Sequence, residues 1–328
     1  MRAVITGTGR FIPEKKLSNH DIEKMLDTND EWITTRTGIK ERRILEKNRG
    51  TSFMAVKAAE MTLEKAGVSA DEIDLIILST VTPDMTIPSA AAIVQKELEA
   101  SNCWGFDLNG GCTGFVYALV CASQFIESGR HKKVLVIGAD KMSSILDYKN
   151  RNTCVLFGDG AGAVLLEASE TDDTGIEDFE LHLDGSGSEF LKVPAGGSLL
   201  PASNETVEKG LHYVYQDGKS VFKRAVRDMA KVSASILEKN GLSGEDIHML
   251  IPHQANIRII DAVSKKLNLT HEQVFININK YGNTTSATIP IAISEAFEQN
   301  RLKPGDRILM SAFGAGFTWG SLLLKWTI

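Results

Sequence analysis

Apolar residues fall at two distinct periods along this chain. Between residues 52 and 66, Met54, Ala58, Met61 and Leu63 recur at helical spacing, whereas residues 73–78 form an unbroken apolar run of strand length. A run without alternation fits a strand covered on both faces. Residues 103–108 and 133–138 read as further strands with a helix over 114–128 between them, and 248–251 reads as a strand followed by a helix over about 256–267. Helices alternating with buried strands predict an α/β fold.

The pattern also repeats. Residues 63–80, LEKAGVSADEIDLIILST, align with residues 237–254, LEKNGLSGEDIHMLIPHQ, at a displacement of 174 positions, and seven of the eighteen residues are identical. The same displacement carries KVLVIG at Lys133 onto RILMSA at Arg307, while AVLL at Ala163 matches SLLL at Ser321 at 158. The second copy is therefore 16 residues shorter there, and the difference maps to an insertion around 142–154. Two similar α/β halves, 1–172 and 173–328, are expected to pack together with the functional residues at their junction. Residues 184–204, rich in Gly, Ser and Pro, read as a surface excursion.

The 328 residues, 43% hydrophobic and 24% charged, exclude a disordered or fibrous chain. With 36 Lys and Arg against 42 Asp and Glu, the net charge of -6 provides no global field for nucleic acid, and an anionic partner needs a local basic patch. The absence of an 18-residue apolar span or a signal-peptide core predicts no membrane association, and a cytoplasmic location is expected. Cys103, Cys112, Cys121 and Cys154 show neither disulfide nor metal-ligand spacing, so no metal is expected.

Cys112 lies in DLNGGCTGF, between a strand and a helix. A strand, a tight glycine turn and a helix start lift a nucleophile clear of the backbone, lower a thiol pKa and offer N–H groups to an oxyanion. The other reading is a small residue buried in a turn, which is the expectation for the remaining three cysteines in their apolar runs. His253 ends a strand and opens PHQAN, at the carboxyl edge where ligands gather in open α/β sheets. A structurally satisfied histidine is the alternative. Asn283, in KYGNTTSATIP, lies three residues before Ser286, the repeat partner of Cys112. An N-cap role would also account for it.

These motifs together resemble β-ketoacyl-acyl-carrier-protein synthase III, a thiolase-like condensing enzyme. The resemblance runs from VITGTGRFIP through EWITTRTGI, GGCTGF, FGDGAGAV, HQANIRI and YGNTTSA to FGAGFTWG. It implies a duplicated, five-layered α/β/α/β/α fold with two mixed sheets, a homodimer, and acyl-CoA as a substrate with no resident cofactor. Cys112 would accept the acyl group, and His253 and Asn283 would serve the decarboxylation of a malonyl thioester on acyl carrier protein, initiating fatty-acid synthesis. Backbone N–H groups of Cys112 and Ala315 would hold the oxyanion. Trp32, Arg36 and Arg151 match positions at the CoA mouth, and Phe222 and Asn256 match the pantetheine tunnel. Lys223, Arg227, Arg258, Lys265 and Lys266 are candidates for the acidic carrier protein; Arg258 and Lys265 share a helix face. Ile87 stands at the gate of the acyl pocket, where the family often has Phe. Gly111 and Thr113 flank Cys112 where the family commonly has Ala, and Ala315 replaces a frequent Gly.

Other classes fit less well. Gly7-Thr8-Gly9 follows a strand as in a dinucleotide fingerprint, but Ile12 holds the third glycine position and Pro13 follows. A papain-type hydrolase lacks its signature around the cysteine and gives the duplication no role. A non-catalytic thiolase-fold scaffold should have lost Cys112 or His253. A related polyketide, alkylquinolone or long-chain acyl-CoA condensing enzyme would keep the same three residues.

Overall fold

The buried strands assemble into two mixed sheets in the computed structural model, which describes residues 1–171 and 173–328. The first sheet contains β1 (Arg2–Phe11), β2 (Leu75–Ser79), β3 (Trp104–Leu108), β4 (Lys133–Lys141) and β5 (Asp159–Ser169), in the spatial order β1-β5-β4-β2-β3. Strands β3, β2 and β4 are parallel, and β5 runs antiparallel between β4 and β1. The second contains β6 (Gly175–Leu183), β7 (Met249–Pro252), β8 (Arg307–Gly314) and β9 (Thr318–Lys325), in the order β7-β8-β9-β6. Helices α1 (Asp30–Thr37), α2 (Thr51–Ala66), α3 (Gly114–Glu127), α4 (Arg151–Cys154), α5 (Gly218–Lys239), α6 (Ile257–Lys266) and α7 (Thr288–Glu298) carry or cover the functional region.

Strand alternation builds the layers. Ile76, Leu78, Leu135 and Ile137 pack outward with Met54, Ala58 and Leu63 of α2. Their neighbours Leu75, Ile77, Val134 and Val136 face inward, onto Phe115 and Leu119 of α3 and Ile289 and Ile293 of α7. Met249, Ile251, Ile308 and Met310 of the second sheet cover the opposite side of that helical layer. Leu250, Leu309 and Leu323 turn the other way, onto Met229 and Ile236 of α5 and Ile260 and Val263 of α6. The result is α/β/α/β/α, with the two copies sharing the central pair α3 and α7. Each fully buried Leu or Ile contributes about 1.5–3 kcal/mol.

The 174-residue displacement matches β2 with β7 and β4 with β8, and the starts of β1 and β6 lie 173 residues apart. The copies differ at one edge. The counterpart of β3 is reduced to a single bridge between Leu250 and Val274, because residues Ile278–Tyr281 form a helical turn where a strand would lie. The second sheet therefore has four strands against five.

Several local expectations are corrected. The strand expected at 73 begins at Leu75, since Ile73 closes a turn over Ala70–Glu72 held by the Ser69 capping box. The strand expected at 103 begins at Trp104, and Cys103 and Cys121 are half-buried; only Cys154 of the three sits fully inside. The 184–204 excursion is not wholly a surface loop: Phe190 stacks on Phe317 at 5.9 Å, although Leu199 is 97% exposed. The expected boundary between halves falls at Asp172, which lies outside the described residues. No helix among the described residues is long and apolar enough to cross a membrane.

Candidate active site

Cys112 occupies the short turn Gly111–Thr113 between β3 and α3. Gly111 has φ +56°, a left-handed conformation open to glycine, and a Cβ there would come 3.0 Å from the Ala315 nitrogen. A Cβ on Gly314 would come 2.7 Å from the Cys112 nitrogen, so the 314–316 turn can lie against Cys112 only as glycine at that position. The second half holds this turn in place: Thr318 Oγ1 donates to the Gly110 carbonyl at 3.1 Å, and Thr113 Oγ1 donates to the Thr318 carbonyl at 3.2 Å. Cys112 is 8% exposed. Burial and, second to it, the Asp140 carboxyl push its thiol up to about 12. This corrects the expected lowering by the helix start; in the resting protein burial wins, and the group is a thiol.

His253 follows β7, with its N–H donating to the Ser311 carbonyl at 2.8 Å. Its ring is buried, and burial alone pulls its pKa down to about 3, so the imidazole is neutral at working pH. Nδ1 lies 2.7 Å from Thr288 Oγ1 at the first turn of α7.

Asn283 belongs by sequence to the second half and is hung on the first. Its N–H donates to the Leu156 carbonyl at 2.9 Å, and its carbonyl accepts from the Gly158 N–H at 3.0 Å. Its side-chain Oδ1 accepts the Thr285 N–H at 2.9 Å, which turns the amide N–H groups towards the cavity that Asn283 lines. Thr285 has φ +54°, the conformation of Gly111, its partner in the other copy. The turn Thr285–Ala287 ahead of α7 thus repeats the turn Gly111–Thr113 ahead of α3. Ser286, the counterpart of Cys112, is withdrawn from chemistry by its 2.7 Å contact with Asp140. The buried Asp140 carboxylate also accepts from Thr80 Oγ1, the Val81 N–H, Thr82 Oγ1 and the Ser286 N–H at 2.8–3.1 Å, clamping the halves together. Burial raises its pKa.

One cavity of about 570 Å³ reaches Cys112, His253 and Asn283. Leu156, Phe157, Val221, Met229 and Phe313 give it an apolar wall, and Trp32, Arg36, Lys219, Lys223 and Arg258 line it with aromatic and cationic groups. Helix α1 forms because Asn29 Oδ1 accepts the Trp32 N–H at 2.7 Å as an N-cap. That places Trp32 within reach of two guanidinium groups, Arg36 at 4.8 Å and Arg151 at 5.4 Å from the ring centroid. Arg151 comes from α4, inside the insertion at 142–154, and its Nη1 donates to the Asp27 carbonyl at 2.8 Å. Asn256 caps α6 and donates from Nδ2 to the Arg36 carbonyl at 3.0 Å, while Arg258 covers Phe222 at 4.9 Å.

The remaining candidates are dispersed. Lys223 and Arg258 line the cavity, whereas Arg227 is paired with Asp228 at 2.6 Å. Lys265 and Lys266 are exposed in the last turn of α6. Ile87, expected at the gate of the acyl pocket, does not line the cavity; it is 83% exposed on the loop before Ser89. Lys219, Asn152 and Asp140 escaped the sequence reading, since lone charged or amide residues carry no periodic signal. Among the described residues no group of three His, Cys, Asp or Glu is placed to hold a metal ion.

Two sheets enclosing a shared pair of helices, each entered through a repeated turn, make this a thiolase-like, acyl-transferring condensing enzyme. Residues 106–185 match the family model for 3-oxoacyl-[acyl-carrier-protein] synthase III, and residues 237–326 match the model for its C-terminal part. The chain belongs to that family. It is 54% identical to β-ketoacyl-[acyl-carrier-protein] synthase III of Chlorobaculum tepidum, with 99% of this chain and 100% of the relative covered. The crystal structure of the Aquifex aeolicus 3-oxoacyl-[acyl-carrier-protein] synthase III is 48% identical with a TM-score of 0.91, covering 99% of this chain and 100% of that one. A priming β-ketosynthase from a polyketide biosynthetic pathway is 34% identical at a TM-score of 0.91, covering 99% and 96%.

Proposed function

We propose that the protein joins an acyl-CoA starter to malonyl-acyl-carrier protein by decarboxylating Claisen condensation, giving the 3-oxoacyl-acyl-carrier protein that initiates fatty-acid synthesis. The observation that carries this reading is a cavity that reaches a buried thiol, a neutral imidazole and a carboxamide past a cationic, aromatic lining. The Cys112 sulfur attacks the acyl carbonyl, the bond between the acyl carbon and the CoA sulfur breaks, and the thiol proton leaves with the CoA thiol. The Cys112 and Ala315 N–H groups hold the tetrahedral oxyanion; loss of one such donor typically costs about 3–4 kcal/mol. The malonyl C–C bond then breaks to release carbon dioxide, and His253 and Asn283 donate to the enolate oxygen without bringing a fixed charge. The enolate carbon attacks the acyl-Cys112 carbonyl, the thiolate departs as the new C–C bond closes, and a proton taken up from solvent restores the thiol.

Acyl-CoA is a substrate, with no resident cofactor. Trp32 stacks with its adenine while Arg36 and Arg151 meet its phosphates, and the pantetheine arm passes Phe222 and Asn256. Lys223 and Arg258 receive the acidic carrier protein, with Arg227, Lys265 and Lys266 as its outer contacts. The halves 1–172 and 173–328 act as one unit in the cytoplasm, because each supports the other's catalytic turn. A homodimer is favoured by the unpaired edge β3, whose Trp104 is 49% exposed, since a second copy would cover it. In such a pair Ile87 gates the acyl pocket of the partner.

Intact-mass measurement after mixing with a panel of short, branched and medium acyl-CoA thioesters tests the reading. One acyl group should add and should vanish in Cys112→Ala; no adduct with any starter would refute it.

A further inference from the structure

Thr288 stands behind His253, outside the three residues that meet substrate. Its hydroxyl has a single proton and two acceptors in reach, His253 Nδ1 at 2.7 Å and the Thr285 carbonyl at 3.1 Å. Hydroxyl-to-oxygen bonds fall at about 2.5–3.0 Å and N–H-to-oxygen bonds centre on about 2.9–3.0 Å. The 3.1 Å contact is therefore long for a hydroxyl donating to the carbonyl, and 2.7 Å is short for a ring N–H donating to the hydroxyl. Both distances agree with a proton on Thr288 directed at Nδ1. Thr288 and His253 are buried, so solvent does not compete for either group.

We propose that Thr288 is a positioning residue that donates to His253 Nδ1 and thereby holds the neutral ring as the Nε2–H tautomer, with its one N–H facing the cavity. The inference rests on the condensation reading above and gives it direction. A neutral imidazole carries one proton, so a ring held this way is a donor at the enolate oxygen and has no lone pair at Nε2 to take the Cys112 proton. His253 then serves the decarboxylation half-reaction and is dispensable for acyl transfer. Thr288 sits one turn beyond Asn283, and Thr285 connects them: its N–H fixes the Asn283 amide and its carbonyl lies beside the Thr288 hydroxyl. Both enolate donors are thus oriented from the same end of α7.

The half-reactions separate the outcomes. In Thr288→Val the ring loses its donor at Nδ1, and decarboxylation of malonyl-acyl-carrier protein by the acylated enzyme should fall about tenfold, while acylation of Cys112 by acetyl-CoA changes by less than about threefold. Thr288→Ser should restore both. Equal losses in the two half-reactions, or a larger loss in acylation, would overturn the assignment. Should Thr288→Val fail to fold, ¹⁵N NMR of the wild-type imidazole decides independently of any substrate: an unprotonated Nδ1 and a protonated Nε2 are expected, and a protonated Nδ1 would refute the proposal while leaving the condensation reading intact.

Discussion

Replacing Thr285 with glycine should make the protein more stable and less active. Thr285 is β-branched, buried, and held at φ +54°, and its Oγ1 has no hydrogen-bond partner among the described residues. The left-handed conformation costs an L-residue about 1–2 kcal/mol. A buried hydroxyl without a partner adds about 1–3 kcal/mol of desolvation. Against this relief stand about 0.5–1 kcal/mol for the greater freedom of glycine in the unfolded chain and about 0.8 kcal/mol for the lost methyl group. The balance is a gain of roughly 2 kcal/mol, read as a higher urea midpoint at unchanged slope. The same change frees the peptide groups that hold the Asn283 amide and lie beside the Thr288 hydroxyl. Decarboxylation should drop about tenfold, the worth of one positioned hydrogen bond. Thr285→Ala, which removes the hydroxyl but keeps the left-handed strain, should gain stability with little loss of rate. The reasoning fails if the glycine variant is less stable, or if it is more stable with decarboxylation untouched, because the strain would then serve nothing at the site.

Other expectations follow from the same geometry. His253 has its pKa lowered from 6.5 to about 3, so the unfolded chain binds the proton first as pH falls and stability is lost from about pH 6.5 downward; this single ring should account for about 2 kcal/mol between pH 7.5 and pH 5. Urea titrations at the two pH values should show that share missing in His253→Asn, and an equal pH slope in both proteins would contradict it. Trp32→Ala removes the ring that Arg36 and Arg151 flank and should raise the acyl-CoA concentration for half-maximal acylation about tenfold with a near-normal limiting rate; a lower limiting rate alone would speak against a binding role. Arg258→Glu should raise KM for malonyl-acyl-carrier protein while sparing acyl transfer from CoA, and equal loss in both would point to misfolding.

The duplication was legible because a strand buried on both faces has little freedom in sequence: β2 and β7, and β4 and β8, kept their apolar runs at a constant displacement. The missing fifth strand was not, since Val274, Phe275 and Ile276 are apolar whether they pair or turn away. Cys112 stood out through its flanking glycines. Thr285 did not, because threonine carries no signal for a left-handed turn, and only its repeat partner Gly111 hints at one. Asp140 reads as an isolated acid at a strand end until folding surrounds it with five donors from both halves. The thiol pKa was misjudged in sign because helix position is local and readable, whereas burial is a property of the assembled layers.

The reciprocal support of the two catalytic turns bears on descent as well as on stability. Thr318 of the second copy holds the Cys112 turn, and Leu156 and Gly158 of the first hold Asn283. A single-copy precursor could therefore have formed such a site only where two molecules met across a twofold axis. Within one fused chain the copies need not match, and here one turn carries a thiol and its twin the serine that locks Asp140.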